Sequence, residues 1–283
     1  MINRIALAPS ILCLLYTVAA PCQTHPGLAF DEIVHETSGL STSTDTNSAV
    51  LHFTTSRGNI RVDVEGRLPD TRNVPTGRNR SVMLMTDSGS KLTFINDEEK
   101  QYMSLNPGAM AEAVKKMMES MGGTITVDTA ATKLRLDSLG PGPTVDGHPT
   151  LRYRLLTTLR MTIAMMGNSM TMEQESVDEI QAATDFPDFN DLTASLTRLG
   201  NIGQTMGFAP EFIERARDLQ KRIRGLPIRI TRVQIVTSEG RTRRSATDMV
   251  VSNVRRLQVP DSLFQIPTGY TPVAMPKIPS VNQ

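Results

Sequence analysis

The sequence predicts an α+β domain: a curved antiparallel sheet covered by about three amphipathic helices. Two observations carry that prediction. Many short runs alternate apolar and polar residues with period 2 and are separated by polar turns, the pattern of an antiparallel meander with one face buried. Three other stretches place apolar residues at helical spacing. A chain of 283 residues with 39% hydrophobic and 21% charged content can bury one large core. Sheets of about ten strands seldom stay open and flat, so curling with helices on the concave side is the economical packing.

The strand signals run in order along the chain. Phe30–Thr37 and Val50–Thr55 are rich in β-formers, and Asn59–Val64 puts Ile60, Val62 and Val64 on one face. Ser81–Thr86 and Lys91–Asn96 flank Asp87-Ser88-Gly89-Ser90, a hairpin turn by composition. Glu99–Leu105 follows, then Thr124–Asp137, which alternates at both ends. Leu151–Met166 has Leu151, Tyr153 and Leu155 on one side. Met170–Ala182, Ile228–Thr237 and Arg243–Arg255 complete the set.

Three helices interrupt the strands. The first has Asn106 as cap and Pro107 at the first helical position, carries Met110, Val114, Met117, Met118 and Met121 on one face, and stops at Gly122-Gly123. The second is expected over Asp188–Leu199. The third opens at Ala209-Pro210 and runs to Arg224, with Phe212, Ala216, Leu219 and Ile223 as its apolar stripe. The polar stretch Glu65–Arg80 reads as a loop.

The ends of the chain read differently. Arg4 followed by the apolar run Ile5 to Ala20 and the small residues Ala19 and Ala20 is the order of a secretory signal peptide, cleaved within 19–24. A transmembrane anchor is the rival reading, but the run is short of the about 20 residues that span a bilayer and contains Pro9. The expected organisation is therefore a signal peptide at 1–24, a single domain at 25–272 and a Pro-rich flexible tail at 273–283. Cys22 raises lipidation as an alternative, although Pro21 precedes it and position 19 is Ala19, not Leu. Cys13 leaves with the peptide, so the mature chain keeps at most one Cys. That excludes an internal disulfide, a CxxC redox site and a Cys-based zinc site.

Charge and motifs narrow the function classes. The whole chain has a formal charge of +1, unlike a general nucleic-acid binder, so no nucleic-acid partner is expected. There is no G-x-S-x-G, no H-E-x-x-H and no phosphate-binding glycine motif, so neither catalytic residues nor a cofactor are expected. Asn79-Arg80-Ser81 matches a glycosylation sequon. The mature chain has four histidines: His25, His35, His52 and His148. His35 and His52 meet if their strands form a hairpin centred near residue 43, and with Glu36 they are the one candidate metal pair. Outward-facing strand histidines are the simpler account, so no metal is expected. A hydrolase needs a Ser/His/acid or metal cluster, which the sequence does not show; convergence of His35 or His52 with two acids would overturn that view.

The 16 methionines are the most unusual feature, beside 4% aromatics and no Trp. Three readings stand: thioethers filling gaps between helix and sheet, an adaptable apolar cavity, or a Cu(I) site. The cavity reading names Met110, Val114, Met117, Met118, Met121, Met161 and Met165 as ligand-lining residues. Residues 213–256 hold 12 Lys/Arg against four acids. That stretch reads either as a solvated face or as a site for an anionic membrane surface or acidic partner, through Arg215, Lys221 and Arg222.

Four stretches taken together resemble a known group: K-Q-Y-M-S-L-N-P before the Met-rich helix, V-D-G-H-P-T-L-R-Y-R-L, G-L-P-I-R-I, and the closing V-P-D-S-L-F-Q-I-P-T-G-Y. The chain is similar to an uncharacterised secreted bacterial family whose fold resembles the LolA/LolB lipoprotein carriers. The resemblance implies a half-closed barrel with helices at its mouth and a cavity for acyl chains. The expected function is an exported, non-enzymatic protein, periplasmic or associated with the outer membrane, that binds an apolar or lipid-like ligand, such as a lipid or acyl chain, in a sheet–helix cavity. The alternative is a structural module of the cell envelope without a small ligand. In the closing motif, Phe264 and Tyr270 are expected to pin the chain's end against the rim of the sheet.

Overall fold

The structure, a computed structural model, describes residues 23–40, 43–66, 80–165, 167–186 and 210–273. The first half of the chain is a meander of six strands: β1 (Thr24–Leu40), β2 (Ser43–Ser56), β3 (Asn59–Gly66), β4 (Arg80–Thr86), β5 (Lys91–Asn96) and β6 (Gln101–Leu105). Helix α1 (Pro107–Ser120) follows, then β7 (Thr124–Val127) and β8 (Lys133–Pro141). A second meander comprises β9 (Thr150–Met165), β10 (Asn168–Ala183), β11 (Leu226–Ser238) and β12 (Arg241–Pro260), with helix α2 (Pro210–Lys221) preceding β11. The short β13 (Thr271–Pro272) ends the described chain.

All thirteen strands belong to one sheet, in the order β13-β6-β5-β4-β3-β2-β1-β12-β11-β10-β9-β7, with β8 also on β9. The first and last long strands, β1 and β12, pair antiparallel and join the two meanders. β7 and β8 lie end to end along one edge of β9. The expected strand Thr124–Asp137 is divided because Asp128 folds the chain between its halves. Its carboxylate accepts from the Ala130 and Ala131 N–H groups, and its carbonyl from that of Thr132. β13 adds to β6 in parallel, covering the opposite edge.

The expected α+β class is overturned. Strand accounts for 65% and helix for 14%, with two described helices and an open sheet instead of a sheet covered by about three. Two physical reasons stand out. The strands outrun their apolar cores: β1, β2 and β12 continue through Ser, Thr and Arg positions that the ladder accommodates as well as it does Val or Ile. Helix α1 also does not lie across the sheet. It is capped by Asn106, whose side chain accepts from the Ala109 N–H, yet Met110 on its apolar stripe is 46% exposed. It meets the sheet at its end, where a Cβ on Gly123 would stand 2.9 Å from the Met118 carbonyl oxygen and 3.4 Å from that of Ala164. The expected helix Asp188–Leu199 lies outside the described residues, as do most of the expected loop Glu65–Arg80, residues 1–22 and most of the tail. Among the described residues no helix is long and apolar enough to cross a membrane.

Residues paired across an antiparallel ladder share a face, so the register sorts the core. The first face carries the main cluster, Phe30, Ile60, Val62, Val64, Met85, Leu226, Ile228 and Val251, with Phe186 packed on it. Phe30 stacks on Phe53 at 4.8 Å. The same face carries a second cluster, Leu136, Tyr153 and Ile180, covered by Leu219 and Ile223 of the α2 segment. Tyr153 adds a polar tie there, its hydroxyl accepting from the Arg224 N–H at 3.1 Å.

The second face has its own small core, Val82, Leu84 and Ile95, under Tyr102 and Tyr270. The chain's end is held against this face. Phe264 is buried, Arg61 Nη1 donates to the Leu263 carbonyl, and the Tyr270 hydroxyl donates to Asp97 at 2.8 Å. The closing motif thus holds the chain's end to the face of the sheet, over β3 and β4, and not at the expected rim; the β6 edge is covered by β13 instead.

Candidate functional site

The ladder builds a graded surface on the first face of β7–β12. Reading across the strands, one row is Tyr153, Ile180, Ile230 and Met249, and the next is Leu155, Asp178, Arg232 and Thr247. Thr157, Ser176, Gln234 and Ser245 follow, then Leu159, Gln174, Val236 and Arg243. Val127, Met161, Met172, Ser238 and Arg241 form the row beyond. Past these, Ile125, Ile163 and Met170 share the face. Helix α2 covers the first of these rows. The rows towards the β9–β10 tip hold half-buried methionine and isoleucine.

Ionisable side chains interrupt the first face, Asp178 and Glu32 among them. Asp178 is buried and held bidentate by Arg232, at 2.7 and 2.9 Å, and the contact holds the guanidinium above its ordinary range. Glu32 stands on β1 between Leu51 and Val251, its cross-strand neighbours, its side chain without a hydrogen bond or ion pair among the described residues. Burial among these apolar side chains pushes its carboxyl up from the ordinary value.

The seven residues expected to line a cavity are brought only partly together. Met161 and Met165 lie on the first face of β9, Met161 half-buried and Met165 42% exposed. Met117, Met118 and Met121 are half-buried at the end of α1 nearest β9, while Met110 stands exposed a further two turns back. Val114 lies on the same helix, its side chain outside the described residues. The sequence pattern pairs the helix with the sheet through its stripe. The lining set omits Ile163, and also Met170 and Met172 of the same methionine-rich stretch, which the register puts beside Met161.

A second arrangement lies on the second face. The hairpin of β1 and β2 pairs Leu40 with Ser43, so Asp31 and not His35 stands opposite His52. His52 Nδ1 and Asp31 Oδ1 are 2.6 Å apart, and Asn253 donates to the other Asp31 oxygen at 2.7 Å. Asn253 reaches it from a bulge in β12, at a φ of 55° that asparagine tolerates. Burial alone would raise the Asp31 carboxyl, but the hydrogen bonds from His52 and Asn253 outweigh it and lower it. The Asp31 contact in turn raises the His52 ring. His52 Nε2 is 3.6 Å from Glu65. A histidine therefore does converge with two acids, which the sequence pattern does not reveal, without a serine, threonine or cysteine bonded to His52. The expected partner His35 is exposed and stands opposite Ser48 and Asp248.

The other histidines are paired as well. His25 contacts Arg57 and Asp261, and His148 Nδ1 is 2.7 Å from Asp185. Among the described residues no group of three or more His, Cys, Asp or Glu could hold a metal.

The basic stretch divides in the fold. Arg229 and Arg232 pair with Asp248 and Asp178, and Arg256 lies over the Phe186 ring. Arg215, Lys221 and Arg222 are exposed on or just after α2, Lys221 beside Asp218 at 3.2 Å. Arg241, Arg243 and Arg244 are exposed at the β11–β12 tip. No family model and no curated protein matches this chain.

Proposed function

We propose that the chain is an exported, non-enzymatic protein that binds an apolar or lipid-like ligand against the first face of its sheet. One observation carries the reading: Met161, Ile163, Met170 and Met172 form a continuous strip of half-buried apolar side chains beside the exposed Met165. Contiguous apolar surface left accessible in a folded chain marks a binding site more often than chance, and thioether side chains adapt to irregular apolar shapes. Export rests on the targeting pattern of the first 24 residues.

Native mass spectrometry of protein gently extracted from its source is the test. A co-purifying acyl species, and uptake of a fluorescent fatty acid by stripped protein, are expected. A clean apo mass together with no uptake overturns the proposal.

A second reading, acid–base chemistry at His52, is favoured by the Asp31 contact, which orients the ring and leaves Nε2 3.6 Å from Glu65. Turnover of a chromogenic ester that vanishes in His52→Gln would support it; equal rates in both proteins would remove it.

A further inference from the structure

We infer that the ligand is a single-chain carboxylate amphiphile, a long-chain fatty acid, whose head group is held by Arg241 and Arg243. The inference rests on the apolar-ligand reading above and adds to it the chemical class and the residues that select it.

The geometry is that of a surface apolar at one side and cationic at the other. The ladder puts Arg241 on the same face and in the same row as Met161 and Met172, and Arg243 in the neighbouring row. Crossing from β9 to β12 takes three strand spacings, about 14 Å, comparable to a long acyl chain lying across the strands. The two arginines sit two residues apart on one strand, about 7 Å between Cα atoms, close enough for both guanidinium groups to reach one carboxylate.

Their charge is unspent. Among the described residues neither arginine side chain makes a hydrogen bond or ion pair. Of the acids on this face, Asp178 is taken bidentate by Arg232, and Glu36 stands on β1 opposite Thr247, four residues along β12 from Arg243. Glu173 and Glu175 of β10 project from the opposite face, as their pairing with Thr237 and Ile235 requires. Glu239, in the turn before β12, makes no ion pair with Arg241. An anion brought to this corner therefore meets two free cations and no competing carboxylate bound to them.

The occupant is one chain and not a bilayer surface because most of the strip's apolar side chains do not project. Leu159 is 6% exposed and Val127 9%, Met161, Met170 and Met172 are half-buried, and of the strip's methionines Met165 alone projects. A single chain can enter such a strip, whereas a flat membrane meets only what projects.

The test uses the full-length mature protein with oleate, oleyl alcohol and vesicles of phosphatidylglycerol. Oleate and oleyl alcohol share a chain and differ in the carboxylate. The wild type is expected to bind oleate at least tenfold more tightly than the alcohol. The double variant Arg241→Ala, Arg243→Ala should lose that preference while its alcohol affinity stays unchanged, and the double lysine variant should regain part of it. Because both arginines are exposed, an unchanged denaturation midpoint is the control for folding. Equal affinity for oleate and the alcohol in the wild type, or a preference that survives the double alanine variant, overturns this inference and leaves the apolar-ligand reading standing. Binding of neither compound overturns both. Arginine-dependent binding to vesicles without uptake of monomeric oleate overturns it in favour of a membrane surface.

Discussion

Replacing Phe264 with alanine tests whether the closing segment holds the fold together. The ring is 7% exposed and lies where the turn after β12 packs on β3 and β4. Removing a buried phenylalanine costs about 3–5 kcal/mol, the upper end applying where the surroundings cannot collapse into the void. Collapse is restrained here on both sides. Arg61 is bound to Asp63 by two hydrogen bonds and also to the Leu263 carbonyl, and β13 is tied to the β5–β6 turn and β6 through the Thr271 and Val273 N–H groups, at 2.9 and 2.8 Å. In a chain of this size about 1 kcal/mol moves the thermal midpoint by about 2–4 °C, so the expected fall is about 6–20 °C. Tyr270→Phe is the companion variant. It removes one hydrogen bond to Asp97 from a half-buried hydroxyl and should cost about 1 kcal/mol. Thermal and urea unfolding followed by circular dichroism measure both. A Phe264→Ala midpoint within about 1 °C of wild type would show that the segment does not contribute to the global stability, and the packing argument would fail.

Three further outcomes are expected. Glu32→Gln should raise the thermal midpoint at neutral pH, on the order of 1 kcal/mol or about 2–4 °C, because the folded state holds this carboxyl in an apolar setting. Its raised value means its stability contribution is fully present below the ordinary 4.5 and lost as pH rises through the folded value, so the gain over wild type should vanish in acid. The Asp31–His52 contact has the opposite limits. Asp31 is lowered, so its share is present above 3.8 and lost as pH falls through the folded value. His52 is raised, so its share is present below 6.5 and lost as pH rises through its own. His52→Gln should therefore cost more stability at pH 5 than at pH 9, and a pH-independent loss would refute the pairing. Arg232→Met should cost more than Asp178→Asn, about 2–4 against about 1–2 kcal/mol. Asp178 is the buried partner, while Arg232 is 43% exposed and can be hydrated. Urea midpoints in the reverse order would contradict that account.

Local alternation alone makes most strands legible in the sequence. Lys91–Asn96 matches β5 end to end, and Ile60, Val62 and Val64 share the buried face that their alternation predicts. What the pattern cannot supply is register and partner. Thr124–Asp137 alternates at both ends, but only the Asp128 turn shows that the two halves lie along the same neighbour. His52 meets Asp31 because the hairpin closes Leu40 on Ser43, a shift of little more than a residue from the expected centre near 43. The apolar stripe of α1 is a true signal of a helix and a false signal of a cover. Periodicity reports which side of a helix is apolar and carries no information about what lies opposite. Asn253 enters none of the expectations, because a bulge in β12 brings it across to Asp31 from 222 residues away.

That same seam between β1 and β12 sets the order in which the chain can be completed. Fifteen residue pairs join the first described strand to the last long one. Until β12 emerges, β1 keeps one edge of seventeen residues unpaired, an open template for other chains during synthesis and export. β13 repeats the problem at the other border, since it can reach β6 only after everything between has been made. Contacts of such sequence separation form slowly, and the delay falls on the strands with the longest bare edges. The two meanders should consequently behave as complementary halves. Expressed as separate pieces cut within α1, each should aggregate alone, and mixing them during refolding should restore soluble protein through the β1–β12 seam.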